Sequence, residues 1–508
     1  MPLRGRASPG CSGRGLIDAG GAARHTSFVD QIIGAAPGGG FRPVTEAIIT
    51  ELAELCGAAN VASDAKALAR YGRDQVPEER YAHAPDVVVK PASTGEVAEI
   101  MRLATRERLP VTPRGAGSGL SGGAVPLYGG ICLSLERMNR ILEIDTKNLI
   151  AVAEPGVVTN KLDEAVRPFG LFFAGYPMSE EFCFIGGNVA ENAGGGRAIK
   201  YGVTGRYITG LEVVLASGEV LQLGGKRLKD VTGYDLVSLI VGSEGTLGVI
   251  TKVFVRLMPR PAHRATTAAL FADARSAMAV VPAIMTGGGI VPTSIEFIDR
   301  SSLAEACGML HETIPYEEAG AMLLLEVDGT HESQVRADAE ALRAVCRAHA
   351  PLALILAESD AESERLWKIR KTVPWALKRR TTDQSIEDIV VPIAAIPEVL
   401  DELRRLEGTF GVAIPCFGHA GDGNLHAHVQ KNPSWSREEW EAREPAILTE
   451  LYEVVARLGG TISGEHGIGH KRKPYLPLVM SGRHIDLMRQ IKHAFDPSGI
   501  LNPGKIFD

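Results

Sequence analysis

The sequence has no cysteine framework. Cys11, Cys56, Cys132, Cys183, Cys307, Cys346 and Cys416 are scattered, and no two form a C-x-x-C pair. That fits a reducing compartment, excludes a disulfide scaffold and leaves no ligand set for an iron–sulfur cluster. Electrons leaving a cofactor here must go to something outside the chain. A basic surplus is also missing: 54 Lys and Arg against 61 Asp and Glu leave a formal charge of −7. Binders of phosphate backbones need the opposite balance, so no nucleic-acid partner is expected. Lys226, Arg227 and Lys229 read as a solvated loop. No apolar run reaches the length of a membrane span. The expectation is a cytoplasmic protein, with peripheral membrane association left open.

The chain has 508 residues, too many for one hydrophobic core, so at least two domains are expected. Residues 1–42 set Arg4, Arg6, Arg14 and Arg24 among Gly, Ser and Pro, with Asp18 the first acid. They have no h-region and no sustained amphipathic period, and read as a flexible tail or an over-extended start. A targeting role, mitochondrial included, stays open.

Glycine is in excess, with 57 residues against an average share of about 7%. They cluster at 115–123, 186–196, 242–248 and 420–423. Clusters mark points where backbone approaches something closely or takes positive φ. Residues 43–60 read as a helix with Leu52, Leu55 and Cys56 on one face. DVVVK (86–90), a helix capped by Thr94, and LPVTPRG form a β-α-β opening into the first cluster. TGLEVVLASGEVLQL (209–223) reads as a hairpin turning at Ser217-Gly218. Pro259 and Pro261 close a strand, and a domain boundary is placed there. The division is 43–260, 261–460 and 461–508, the last folding back to complete the site. The middle part alternates strands and helices as an α+β cap with an antiparallel sheet.

PRGAGSGLSGG contains G-x-G-x-x-G at Gly117, Gly119 and Gly122 after a strand. As a Rossmann fingerprint it fails, because a proline and another strand follow where a helix should begin. A glycine loop between strands can still cradle a diphosphate through successive backbone N–H groups, or be a long turn. IGGNVAENAGGG (185–196) reads as a second loop, with Asn188 and Asn192 filling gaps in the donor set. Two such loops on strand edges would clamp an extended dinucleotide. GSEGTLGVI (242–250) adds a tight turn into a strand.

PRGAGSGLSGGAVP, IGGNVAENAGGGRAIKYGVTG, GLEVVLASGEV and GSEGTLGVIT, in this order, resemble the FAD domain of vanillyl-alcohol-oxidase-type (PCMH-type) flavoproteins. Within these, the chain is similar to the group of glycolate oxidase FAD subunits, D-lactate dehydrogenases and D-2-hydroxyglutarate dehydrogenases. The resemblance implies an α+β fold, a two-part FAD domain plus cap, with FAD held non-covalently. No histidine or cysteine lies in the first loop to form a covalent flavin link. The implied cofactor residues in that loop are Pro113, Arg114, Gly115, Ala116, Gly117, Ser118, Gly119, Leu120, Ser121 and Gly122. The middle segment adds Pro177, Met178, Ser179, Gly186, Gly187, Asn188, Asn192 and Gly194. Glu244, Gly245, Gly248 and Ile250 follow, with Asn502 in the terminal LNPGKIF run. Phe184 departs from the small hydroxyl residue usual before I-G-G, so one hydrogen bond toward the flavin is expected to be absent or replaced. Met178-Ser179 also differs from the usual D-P-S run.

CFGHAGDGNLHAHV (416–429) turns at Asp422-Gly423, a hairpin signal that can bring His419 and His426 together. His428 shares a face with His426 and is an alternative. ISGEHGIG (462–469) supplies adjacent Glu465 and His466, both able to face a site at a glycine-flanked bend. Two imidazoles and a carboxylate suit Zn²⁺, Mn²⁺ or Fe²⁺; bland hairpin histidines are the alternative. The resemblance implies His419, His426 and Glu465 as metal ligands, His466 as catalytic base and Asn424 as a substrate contact. It also implies Arg370, in WKIRKT, as the anchor for a substrate carboxylate, a task that suits a guanidinium fork. Pro374 replaces a hydroxyl residue of the hydroxyglutarate-type relatives, and no lysine stands by 386 where they carry one. Glycolate or D-lactate is therefore favoured over D-2-hydroxyglutarate.

The implied reaction is metal-assisted oxidation of a 2-hydroxy acid to the 2-oxo acid, with hydride passing to flavin N5. Electrons then go to a quinone, a cytochrome, an electron-transfer flavoprotein or an iron–sulfur subunit. A homodimer is compatible with this reading. Two other classes stay open: a metal-dependent hydrolase whose glycine loops bind a nucleotide, and a flavin relay subunit of a larger complex.

Overall fold

Val87–Val89 and Val111–Arg114 both pair in parallel with Ile131–Ser134, and Val61–Ala62 adds an antiparallel edge. The structure is a computed structural model that describes residues 40–287 and 289–508. The expectation for the N-terminal tail therefore lies almost wholly outside the described residues. Parallel neighbours need a crossover, and the helix Thr94–Glu107 lies between two of these strands in sequence. Its cap corrects the sequence reading. Ser93, with extended backbone, is the N-cap and accepts from the Glu96 amide, while Thr94 donates to Glu212 at 2.7 Å. Both residue types can cap, and extended backbone at the preceding position selects Ser93.

An antiparallel sheet follows, ordered Ile141–Asp145, Ile150–Ala153, Val249–Arg256, Ile208–Val214, Val220–Gly224. Its last two strands form the expected hairpin, with Gly218 at φ +79°. The chain's end returns to the first sheet: Val111 bridges Leu501, and the Asn502 amide donates to the Val111 carbonyl.

The second half is built on seven antiparallel strands. Their order is Ala353–Leu356, His263–Phe271, Ala321–Gly329, Ser294–Asp299, Cys416–His419, Asn424–Gln430, Gln384–Val390. Strand side chains alternate between faces. Phe297, Leu323, Leu425, Ala427 and Val429 join the core formed with helices such as Ala274–Gly287 and Ile396–Phe410. Ile298, Leu324 and Phe417 pack on the other side with Arg300–Leu310 and Asp360–Arg380. Along Asn424–Gln430 the alternation leaves Asn424, His426 and His428 on the face away from Leu425 and Ala427.

Candidate active site

A cavity of about 720 Å³ lies between the glycine-rich segments and the polar face of the seven-stranded sheet. That is the size of a small-molecule or cofactor site. Residues Pro113 through Leu120 form one wall, and Pro177, Met178 and Ser179 line it further along. Gly186, Gly187, Asn188, Gly194, Glu244, Gly245, Gly248 and Ile250 also face it.

Four expected cofactor residues stand behind the wall. The Ser121 carbonyl accepts from the His470 and Lys471 amides at 3.0 Å. The Gly122 amide donates to Asp74 at 2.8 Å. Asn192, at φ +51°, accepts from the Gly205 amide at 2.8 Å. Asn502 donates to the Gly123 carbonyl at 3.0 Å and the Glu244 carbonyl at 2.7 Å. These contacts hold the lining segments together.

The second glycine cluster is a correction. Ile185–Glu191 is a helix, not a loop on a strand edge. Glycine disfavours helix, but here close approach overrides propensity. A Cβ at Gly186 would run into Pro155, whereas one at Gly187 meets nothing within 4 Å and would fill open cavity. Asn188 does not reach for a ligand with its amide nitrogen, which donates to Thr159 at 2.6 Å.

The opposite wall carries the histidines. The hairpin pairs His419 with Asn424 and Phe417 with His426, which places both histidines on one face. Their rings meet edge-on, with centroids 5.3 Å apart. Glu465 Oε1 lies 3.5 Å from His419 Nε2 and 3.4 Å from His426 Nε2. The donor atoms of these three residues all lie within 4.8 Å of one another. The His466 ring stacks on His426 at 5.2 Å, and both Glu465 and His466 line the cavity.

Arg370 is buried on the helix Asp360–Arg380 and also lines the cavity. Its Nε donates to Glu296 at 2.7 Å, and the Phe417 ring lies 4.7 Å beneath its guanidinium. This fixes the plane of the fork. Asn424 is not among the described residues that line the cavity. Its amide donates to Asp388 at 2.7 Å and to the Ile389 carbonyl at 3.1 Å. His428, four residues further along the same strand face, does line the cavity.

Sequence reasoning missed Glu296. This carboxylate is fully buried, bridges Arg370 Nε and His419 Nδ1 (2.7 Å to each), and also accepts from Ser294. Its signal was present in SIEFID: a lone acid between Ile295 and Phe297 points away from the apolar core. Holding His419 through Nδ1 turns Nε2 toward Glu465. Burial alone would pull His419 down, but Glu296 and Glu465 outweigh it and raise its pKa well above the usual histidine range. Burial lowers His466 from its ordinary value, with Asp388 and Glu465 opposing the shift. His419 Nε2 and His426 Nδ1 have no hydrogen-bond partner. The ligand chemistry, the Nε2–carboxylate spacing and the orphaned His419 Nε2 all fit a divalent cation.

Cavity, glycine walls and antiparallel cap together define an FAD-linked oxidoreductase of the PCMH-type fold. The comparisons agree. Residues 85–224 match the FAD binding domain, and residues 260–506 match "FAD linked oxidases, C-terminal domain". The chain is 39% identical to the glycolate oxidase subunit GlcD of Bacillus subtilis (strain 168), over 91% of this chain and 97% of that protein. It is 36% identical to a D-lactate dehydrogenase of Anaerostipes hadrus, over 83% and 89% of the two chains. A D-2-hydroxyglutarate dehydrogenase of Stutzerimonas stutzeri (strain A1501) is 32% identical, over 91% and 99%. The structure of p-cresol methylhydroxylase with substrate bound superposes with a TM-score of 0.76 at 18% identity, over 92% and 98% of the two chains, and shows the shared fold. The chain belongs to the FAD-linked oxidase family.

Proposed function

We propose that the protein oxidises a small 2-hydroxy acid to the 2-oxo acid, with glycolate or D-lactate favoured. The observation that carries this is the meeting of Arg370 with the His419–His426–Glu465–His466 cluster at one end of the cavity lined by the FAD-domain glycines. Relatives named for glycolate, D-lactate and D-2-hydroxyglutarate support the substrate class. Bound FAD supplies a two-electron acceptor, and a divalent cation held by His419, His426 and Glu465 would supply Lewis acidity.

The chain's own residues do the rest. Arg370, steadied by Glu296 and Phe417, receives the substrate carboxylate in its fork. His466 accepts the hydroxyl proton on its ring nitrogen. Phe417, Ile386 and Pro374 line the same cavity and limit water around the reacting carbon. Lys378 reaches the cavity two helical turns from Arg370, and Pro374 stands between them without a hydroxyl. Reoxidation needs an acceptor outside the chain: the six cysteines of the described residues are separate, buried, free thiols. Among the described residues no helix is long and apolar enough to cross a membrane. Family membership speaks against the hydrolase alternative.

The test is anaerobic mixing of the FAD-loaded protein with glycolate, D-lactate and D-2-hydroxyglutarate in turn. Bleaching of the flavin by glycolate or D-lactate is the expected result. Stable yellow colour with all three would sink the proposal.

A further inference from the structure

Adjacent Glu465 and His466 both face the cavity, which an ordinary strand would not allow. The cause lies behind them. Asp388, on the strand Gln384–Val390, is fully buried. Its Oδ2 accepts from three successive backbone amides: Gly464 at 2.8 Å, Glu465 at 2.9 Å and His466 at 2.8 Å. The Ser463 hydroxyl adds a fourth bond at 2.8 Å. Consecutive N–H groups converging on one anion form a nest, and here the anion is the protein's own side chain. The nest curls residues 463–466 so that both functional side chains project the same way. Glycine at 464 is required for it, since a Cβ there would press on the Asn424 amide and on Val390.

The two histidine rings stand further from this carboxylate. Asp388 Oδ1 accepts from Asn424 and lies 3.9 Å from His426 Nδ1, while Oδ2 lies 3.9 Å from His466 Nδ1. Both Nδ1 atoms are buried and have no hydrogen-bond partner. At 3.9 Å neither makes a hydrogen bond to Asp388, and the Nε2 atoms lie nearer a carboxylate, with Glu465 Oε1 3.4 Å from His426 and 3.8 Å from His466. Asp388, His426 and His466 also form a potential ligand triad by spacing. Asp388 is unsuited to a metal, because five donors already occupy its two oxygens.

We propose that Asp388 is a positioning residue of the active site: it holds the bend that turns both Glu465 and His466 toward the cavity. This rests on the assignment of His466 as base. Sequence reading had no signal for it, since Asp388 reads as one more acid in the run SIEDIVV.

Asp388→Asn tests this in the FAD-loaded protein. The amide puts a donor where only acceptors serve, as in other orienting-carboxylate sites, where such a change costs about 10⁴ in rate. The expected result is at least about a 100-fold fall in the rate of flavin reduction at saturating 2-hydroxy acid. FAD content should be unchanged. The dissociation constant for oxalate, a carboxylate probe that cannot be oxidised and binds through Arg370, should move by less than about threefold. A merely structural role would move oxalate affinity and FAD content together with the rate, and that pattern overturns the proposal. So does normal reduction in Asp388→Asn. Should Asp388→Asn fail to take up FAD, Ser463→Ala, which removes one of the four bonds to Asp388 Oδ2, decides. Slower flavin reduction with FAD content kept supports the proposal, and reduction at the wild-type rate overturns it. His466→Ala separates the two readings. Full reduction there removes the base assignment itself, whereas loss there with normal Asp388→Asn removes only this inference.

Discussion

Glu296→Gln is the most informative single perturbation, because one carboxylate serves two functional side chains. In the native site Glu296 faces Arg370 Nε and His419 Nδ1, and the side chains of Glu296, Arg370 and His419 are all almost fully buried. Removing one charge from a buried pair leaves the other uncompensated, at about 3–5 kcal/mol. Glutamine keeps one oxygen that can still accept from Arg370, so the lower end applies: about 3 kcal/mol, over a hundredfold in the folding equilibrium. A second effect follows from its NH₂. That group would face His419 Nδ1, which must then accept, so the ring's proton is held on Nε2, the atom a cation would need. Loss of such an outer partner weakens metal binding by about 10–100-fold. Urea unfolding of the FAD-free protein measures the first effect, and calorimetric titration with Mn²⁺ or Zn²⁺ the second. A stability loss below about 1 kcal/mol together with unchanged metal affinity would refute the bridging role.

Further predictions follow from separate parts of the structure. Gly187→Ala should leave the apoprotein as stable or about 1 kcal/mol more stable, since it adds a helix former in open space, yet weaken FAD binding in a flavin titration. Equal FAD affinity would show that the cofactor does not pass Gly187. Gly186→Ala should behave oppositely, losing about 1–3 kcal/mol by forcing Pro155 aside, as read by thermal melting. Arg370→Lys should raise KM for the hydroxy acid more than it lowers kcat, because a point charge replaces a fork; unchanged KM would move the carboxylate elsewhere. Lys505 is pushed down to about 7 by burial, with Glu244 and Asp74 opposing and Lys473 reinforcing the fall. Its folded pKa lies below the unfolded value, so as pH falls the unfolded chain takes up this proton first. Stability linked to Lys505 therefore declines from about pH 10 down to about pH 7 and levels off below. Urea unfolding of wild type against Lys505→Met across that range checks this, and a pH-independent difference would contradict it.

Much of the site was legible because periodicity and turn chemistry are local. The hairpin at 416–430 follows from alternation and the DG signal, and it puts His419 and His426 on one face. The loop at 113–120 follows from a strand running into glycines. What was not legible depends on pairing across long separations. Glu296 meets His419 only because Ser294–Asp299 pairs with Cys416–His419. The bond from the Asn424 amide nitrogen to Asp388 likewise depends on the neighbouring strand. The helix Ile185–Glu191 was hidden by its glycines, whose presence reflects approach to Pro155 and to the cavity rather than a loop. Thr94 and Ser93 could not be ranked without the backbone angle that makes one of them the cap.

The central claim is that His466 takes a proton from a 2-hydroxy acid beside bound FAD. Anaerobic reduction of His466→Ala beside wild type tests it most directly, with the preferred hydroxy acid at saturation and 2-oxo acid measured against flavin. The account predicts one 2-oxo acid per flavin bleached in wild type. In the variant, FAD should stay bound but be reduced at least about a hundredfold more slowly, the lower end of the usual general-base contribution. Reduction of the variant at the wild-type rate would contradict it.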